Sequence, residues 1–134
     1  MTPIKGRAIL QAGLIAQNLA MTQFLLHTLD ESTYHRRLAQ TPALALVLFT
    51  SPDCGTCRVV ERHLPASAPP EATLFKVNVQ VASGLARAFE VFHLPTLFLY
   101  VNGHYHARLN CQITARALRA AIEHALQHPA EEEP

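Results

Sequence analysis

The chain of 134 residues lacks tryptophan and contains only 3 cysteines, 5 glycines and 16% charged residues. Three cysteines in a chain of this length do not fit a secreted disulfide scaffold, which needs several cysteine pairs. A formal net charge of +1 at pH 7 does not fit nucleic-acid binding, because phosphate neutralisation needs a concentrated basic face. No segment supplies the roughly 20 apolar residues of a membrane-spanning helix. We therefore expect neither nucleic acid nor membrane as a partner.

Hydrophobic residues, in contrast, make up 49% of the sequence. A chain of this length and apolarity can bury a hydrophobic core, and its composition is not that of a disordered protein. The composition therefore predicts one globular domain, which we expect to be monomeric.

The two ends of the chain differ in pattern from the rest. Residues 1–20 form an N-terminal extension in which Lys5 and Arg7 precede a mildly apolar stretch. This stretch resembles a signal peptide only weakly, because its apolar run is short and no small-residue cleavage site precedes Met21. We interpret it as a short extra helix or as a start codon assigned too early, with secretion as the weaker alternative. Residues 21–129 form the main domain, and we expect the acidic tail 130–134 to be solvated.

Hydrophobic patterning in the main domain predicts strands that alternate with helices. The continuous apolar run Leu44–Thr50 is typical of a strand buried on both faces of a sheet, and Asn102-Gly103 indicates a tight hairpin turn. The order β-α-β-α-β-α-β-β-α predicts an α/β fold with a central mixed β-sheet flanked by helices. The predicted strands are Phe24–Leu29, Leu44–Thr50, Thr73–Val79, Thr96–Val101 and Tyr105–Leu109, and the predicted helices are Thr33–Gln40, Arg58–Leu64, Ser83–Phe92 and one from Thr114.

Periodicity within the helices predicts which side chains face the core. In the helix from Ser83, Leu85, Phe89 and Phe92 fall on one face. In the last helix, Thr114 is a plausible N-cap. The residues of that helix expected to face the core are Leu118, Ile122, Ala125 and Leu126.

Cys54 and Cys57 form a Cys-Gly-Thr-Cys motif at the exit of a predicted strand and the start of a helix. Unpaired N–H groups and the helix dipole at such a position stabilise a thiolate and lower the pKa of the first cysteine. The spacing lets the second thiol attack a bond made by the first. We therefore predict Cys54 as the exposed nucleophile and Cys57 as the sheltered resolving residue.

The same two cysteines also fit half of a zinc site. The remaining ligands would then come from His104, His106 or Cys111. Structural zinc sites usually take a second closely spaced pair of ligands, and His104 and His106 on a strand would point both rings the same way, so we expect no metal.

Together with this motif, several segments resemble the thioredoxin family over residues 24 to about 128. The segments are LVLFTSPDCGTC, LFKVNV, HLPTLFLY and VNG. The resemblance implies a thioredoxin-like fold in which Pro95 is a cis-proline packed beside the nucleophile. It also implies that Leu94 and Pro95, followed by Thr96, form the wall on the substrate side, where a client segment adds as a strand.

Four positions near the motif decide how closely it follows the family pattern. Asp53 stands where the family usually has tryptophan, so an aromatic surface is lost and a negative charge lies beside the nucleophile. Thr56, after Gly55, replaces the usual proline between the cysteines. Leu48 occupies the place of a buried aspartate that assists proton transfer, whereas Lys76 matches the lysine that accompanies it. Proton transfer must therefore use water, Lys76 or another group.

Two further side chains are expected near the motif. By register with the family, Cys111 lies on a loop beside the active site, where it is either a third redox thiol or an inert packing residue. His93, immediately before Leu94, either titrates near the thiolate or is an ordinary exposed loop histidine.

These residues predict a thiol–disulfide oxidoreductase that reduces protein disulfides through Cys54 and Cys57, with no cofactor beyond that redox-active pair. The resemblance implies disulfide-containing client proteins and a thioredoxin-reductase-like electron donor as partners. Because we identify no export signal, we expect a cytoplasmic location. The compartment sets the direction of exchange, so a cytoplasmic protein of this kind is expected to act as a reductase. The alternative is a redox-inactive binding module of the same fold, or a metal-binding carrier.

Overall fold

Five strands and four helices alternate along residues 25–134, the part of the chain that this computed structural model describes. The predicted extension 1–20 and Phe24 lie outside these residues. The order of elements confirms the prediction from the sequence. The strands are β1 (Leu26–Leu29), β2 (Leu44–Thr50), β3 (Thr73–Asn78), β4 (Thr96–Val101) and β5 (His104–Leu109), and the helices are α1 (Tyr34–Ala39), α2 (Gly55–Ser67), α3 (Ser83–Ala88) and α4 (Ala115–Leu126).

The strands form one mixed sheet in the order β1-β3-β2-β4-β5. Strand β2 is central, parallel to β3 and antiparallel to β4, and β5 returns antiparallel to β4 through the turn at Asn102 and Gly103. Residues 45–50 of β2 are all buried, as the continuous apolar run predicts for a strand covered on both faces. Because β2 is the middle strand, its end and the motif that follows it lie at the middle of the side on which β2 leaves the sheet.

Alternation along the strands divides the core into two clusters, one on each face of the sheet. Aromatic side chains dominate the first cluster, where Tyr34 and Tyr100 share a hydrogen bond of 2.7 Å between their hydroxyl groups. Aliphatic side chains dominate the second, in which Leu48 and Leu64 pack with Leu118 and Ile122 of α4. Helix α2 therefore lies over an aliphatic surface at the point where it begins with the two cysteines.

Helix α2 does not stop at Pro65 as predicted but continues to Ser67. Proline lacks an N–H group, so its place in the last turn removes one intrahelical bond, to the carbonyl of Glu61. The turn still closes, because the N–H of Ala68 donates to the carbonyl of Leu64 at 2.9 Å and Leu64 is buried. The predicted end of this helix at Leu64 was wrong.

Helix α3 is shorter than the predicted Ser83–Phe92 and ends at Ala88. Glu90 adopts a positive φ of 55°, and the N–H of Val91 donates to the carbonyl of Ala86, which closes the helix in a Schellman-type motif. Phe92 therefore leaves the helical face and is 75% exposed, contrary to the prediction that it packs with Leu85 and Phe89.

The C-terminal helix begins as predicted, with the hydroxyl of Thr114 accepting the N–H of Ala117 at 3.1 Å. Leu118 and Ile122 are buried, but Leu126 is 44% exposed because it lies at the end of α4, beyond the sheet. The acidic tail is exposed, yet Glu131 binds the edge of β5 through two hydrogen bonds. Its N–H donates to the carbonyl of His106, and its carboxylate accepts the N–H of Arg108.

None of the helices within residues 25–134 is both long and apolar enough to cross a membrane.

Candidate active site

Cys54 and Cys57 are joined by a disulfide at the N-terminus of α2, directly after the end of β2. Their Cα atoms are 5.2 Å apart, within the usual range for a disulfide. Cys54 is the N-cap residue, and its Sγ accepts the N–H of Cys57 at 3.1 Å. Cys54 is half-buried and Cys57 is fully buried. Of the two bonded cysteines, Cys54 is therefore the one exposed to solvent.

The turn before Cys54 is held by backbone and side-chain contacts. The N–H of Cys54 donates to the carbonyl of Ser51 at 3.1 Å, and the Arg58 guanidinium donates to the carbonyl of Pro52 at 2.7 and 3.2 Å. Asp53 is exposed, and its carboxylate accepts a hydrogen bond of 2.7 Å from the side chain of Gln80. These contacts fix the loop, and the Asp53 charge points to solvent and Gln80.

Gly55 and Thr56 are exposed in the first turn of α2. Together with the half-buried Cys54 they form the accessible part of the motif. The Cys-Gly-Thr-Cys segment therefore presents a small, uncharged surface around one sulfur atom.

The peptide bond between Leu94 and Pro95 is cis, and both residues are half-buried. The buried Thr96 follows, and its hydroxyl donates to the carbonyl of His93 at 2.6 Å, which closes the loop before β4. The side chains of Phe92 and His93 are exposed. The segment thus combines a fixed backbone with an exposed aromatic side chain.

Pro95 and Cys111 line one cavity of about 290 Å³ together with Leu48 and Val60. Cys111 has a free thiol, and burial raises its pKa. Leu48, which stands where the resemblance expects an aspartate, is fully buried in the aliphatic cluster. The residues on this side of the site therefore have mostly apolar side chains, and Cys111 contributes a thiol to it.

A second cavity, of about 360 Å³, lies beside the Ser51-Pro52 turn and is lined mostly by residues with polar side chains, so we call it the polar cavity. Lys76 and Glu61 both line it and contact each other, with 3.3 Å between Nζ and Oε1. The hydroxyl of Thr50 also lies there, and this buried oxygen has no hydrogen-bond partner among residues 25–134. Lys76 was predicted from the sequence, but Glu61 and Thr50 were not. The spacing of Glu61, one helical turn after Cys57, was the signal that could have identified it.

A zinc site with Cys54 and Cys57 finds no counterpart in the described part of the chain. Within it, no group of three or more His, Cys, Asp or Glu side chains is placed to hold a metal ion. The ring of His106 is instead engaged with the carbonyl of Ala125 at 2.7 Å.

Sequence comparison finds similarity between this chain and thioredoxins. Residues 25–124 match the family model described as Thioredoxin. Among curated relatives, the thioredoxin of Chlamydia pneumoniae is 37% identical over 68 residues, which amount to 49% of this chain and 67% of the relative.

Solved structures support the fold. Human ERp44 in its zinc-bound form matches 75% of this chain with a TM-score of 0.64 and 19% identity, and this chain spans only 32% of that chain. A chain from a structural study of the thiol resolving mechanism in yeast mitochondrial 1-Cys peroxiredoxin via glutathione/thioredoxin systems matches 77% of this chain. It has a TM-score of 0.59 and 22% identity, with 95% of that chain covered.

The family match includes the central sheet, the disulfide-bonded Cys-x-x-Cys motif and the Leu94–Pro95 loop. It confirms the resemblance and the fold predicted from the sequence. This chain belongs to the thioredoxin family.

Proposed function

We propose that this protein is a thiol–disulfide oxidoreductase that reduces disulfides of client proteins. The observation that carries the proposal is the disulfide at the N-terminus of α2, in which one sulfur is accessible and the other is fully buried. Membership of the thioredoxin family supports thiol–disulfide exchange in general. The reducing direction and the roles of single residues are part of the proposal.

In the reduced protein, Cys54 acts as the nucleophile. The N–H of Cys57 and the other unpaired N–H groups of the first turn stabilise its thiolate. The thiolate attacks one sulfur of a client disulfide, forming a mixed disulfide and releasing the first client thiolate. Cys57 then attacks the Cys54 sulfur, which restores the internal disulfide and releases the second client thiolate. Two electrons pass from the cysteine pair to the client.

The backbone at Leu94 and Pro95 forms the substrate side of the site in this proposal. An extended client segment would pair with the backbone before Pro95 as an added strand, which positions the client disulfide against Cys54. The hydrogen bond from the Thr96 hydroxyl to the His93 carbonyl and the exposed Phe92 support this role, because they give the segment a fixed backbone together with an apolar contact.

The cycle requires a source of electrons and a reducing environment. We propose a thioredoxin-reductase-like donor, a cytoplasmic location and no cofactor beyond the two sulfur atoms. The free thiol of Cys111 is consistent with a compartment that keeps thiols reduced.

Reduction of insulin disulfides by dithiothreitol, followed by turbidity, tests the function. The wild-type protein should accelerate the reaction. Cys54→Ser should abolish the acceleration, and Cys57→Ser should accumulate a mixed disulfide visible by mass spectrometry. Glu123→Gln, an exposed change on α4, is the control and should leave the rate unchanged.

Two outcomes would contradict the proposal. A wild-type protein without activity and without a reversible two-electron couple in glutathione titration would indicate a redox-inactive binding module. Zinc or iron that copurifies in a one-to-one ratio and blocks the thiols would indicate a metal carrier.

A further inference from the structure

The buried resolving cysteine, Cys57, needs a group that accepts its proton, and neither sulfur atom of the pair supplies one. A thiol attacks a disulfide only as the thiolate, so Cys57 must lose a proton at the moment of release. Its side chain is fully buried, so bulk water does not reach it directly. Leu48, which pairs with Lys76 in the register of β2 and β3, has no acidic group to accept the proton.

The polar cavity beside the Ser51-Pro52 turn contains a carboxylate that can accept this proton. Among the residues that line its 360 Å³, Glu61 and Lys76 are the charged ones, and Thr28, Asn78 and Thr50 contribute polar groups. Thr50 is only 4% exposed, and its hydroxyl has no hydrogen-bond partner among the residues described. A roomy cavity with a buried unpaired hydroxyl, a carboxylate and an ammonium group has the partners that ordered water needs.

Glu61 lies on the same face of α2 as the buried cysteine. Residues four apart on a helix have Cβ atoms about 5–6 Å from each other, a gap that one water molecule between the two side chains can bridge. Cys57 and Leu64, also on this face, are buried, and Glu61 is half-buried between them. Glu61 lines the cavity, so the inner face of α2 places a cavity carboxylate one helical turn from the buried cysteine.

Neighbouring charged groups do not compete for this role. Asp53 is exposed and bonded to Gln80, and the Arg58 guanidinium is bonded to the carbonyl of Pro52. Lys76 is a donor in its charged form, and its contact of 3.3 Å holds the Glu61 carboxylate at the cavity wall. Glu61 is therefore the carboxylate placed to accept a proton from Cys57.

We propose that Glu61 is the proton acceptor for Cys57, acting from the wall of the polar cavity with Lys76 as its positioning residue. This inference rests on the proposed exchange function. In the mixed disulfide, the Cys57 proton passes to the Glu61 carboxylate, and the thiolate attacks the Cys54 sulfur. The new Cys54–Cys57 bond replaces the bond to the client, whose thiolate takes up a proton from Glu61 or from water. In the opposite direction, the same carboxyl group returns the proton to Cys57.

Stopped-flow reaction with excess 5,5′-dithiobis(2-nitrobenzoate) separates the two steps. The attack by Cys54 is bimolecular and accelerates with reagent concentration, whereas release by Cys57 is unimolecular and does not. Each step releases one coloured thionitrobenzoate. All variants carry Cys111→Ala so that the third thiol does not contribute.

Glu61→Gln keeps the size and the contact with Lys76 but removes the acceptor. It should slow the unimolecular phase at least tenfold at pH 7 and leave the bimolecular phase within twofold. The wild-type unimolecular rate should reach a plateau with pH, whereas the Glu61→Gln rate should keep rising because hydroxide replaces the carboxylate. Glu61→Asp should restore part of the rate, Lys76→Met should slow the same phase, and the exposed Glu123→Gln should change neither phase.

An unchanged unimolecular phase in Glu61→Gln would overturn the inference. Equal slowing of both phases with the wild-type pH profile retained would also overturn it, because that pattern belongs to a structural role. If the wild-type protein gave no two-step release at all, the exchange function itself would fail, which is a different result.

Discussion

At the scale of single residues, the two motif cysteines and Cys111 occupy three different environments. Cys54 caps α2 and is half-buried, Cys57 is fully buried one turn later, and Cys111 lines a cavity with Pro95 and other residues that are mostly apolar in type. The accessibility and charge around each sulfur set its reactivity. The three thiols of the reduced protein should therefore react with an alkylating reagent at very different rates.

Burial raises the pKa of Cys111, so little of its thiol is ionised at neutral pH. We expect iodoacetamide at pH 7 to label Cys54 of the reduced protein first and Cys111 at least about tenfold more slowly, as mass spectrometry of the digested protein would show. The rates of Cys111 in urea and in the native protein give the control, because unfolding should remove the difference. Native Cys111 that reacts as fast as Cys54 would instead support the third redox thiol expected as one alternative from the sequence.

At the scale of elements, the ends of the helices are determined by a few local hydrogen bonds. Helix α2 is capped by a cysteine sulfur, α4 by the Thr114 hydroxyl, and α3 is ended by the positive φ of Glu90. The two cap bonds pair N–H groups that a helix start leaves unpaired, and the N–H of Val91 pairs a free carbonyl at the end of α3. In the proposed function the sulfur that caps α2 is also the nucleophile, so the start of α2 would serve both structure and chemistry.

Removing the cap of α4 should destabilise the whole domain. Thr114→Ala loses the acceptor for the N–H of Ala117, and we expect the free energy of unfolding to fall by about 1 kcal/mol in urea denaturation. Thr114→Ser retains the hydroxyl and should remain close to wild type. A Thr114→Ala protein as stable as Thr114→Ser would show that this bond contributes nothing to the stability of the domain.

At the scale of the whole molecule, the two faces of the sheet have different cores. The face covered by α1 and α3 contains the three tyrosines, and burial raises the pKa of Tyr34, Tyr100 and Tyr105 above the ordinary value of 10.0. The other face is aliphatic and supports α2 with the active-site disulfide. The aromatic face therefore contributes a pH-dependent component of stability through its tyrosines.

This difference predicts loss of stability at alkaline pH. A raised pKa in the folded state means that the unfolded tyrosines lose protons first, so the unfolded state gains stability as pH rises above about 10. The free energy of unfolding should be unaffected by these groups below that pH and should fall above it, by up to about 1.4 kcal/mol per pH unit for each tyrosine.

Urea denaturation of the oxidised Cys111→Ala protein between pH 8 and 11 measures the slope without thiol exchange. Tyr34→Phe removes one titrating group and should reduce the slope, although the loss of the hydroxyl bond to Tyr100 lowers stability at every pH. A slope above pH 10 that is the same in both proteins would contradict the assignment to the buried tyrosines.

The sequence by itself determined the order of elements, the mixed sheet and the place of the Cys-Gly-Thr-Cys motif. These features follow from apolar runs, periodicity and turn residues within short segments, because each of these patterns reflects interactions between residues close in sequence. Its errors lie where a local pattern was ambiguous: Pro65 lies within α2, and Phe92 follows a left-handed residue that ends α3.

Only the tertiary structure decided which distant side chains meet. It placed Lys76 against Glu61, and it put the buried Thr50 hydroxyl, which has no hydrogen-bond partner within residues 25–134, at the wall of the same cavity. These groups come from separate elements, and their approach depends on strand register and on the packing of α2 over the sheet. No spacing along the chain encodes such contacts, because they arise only when the core closes.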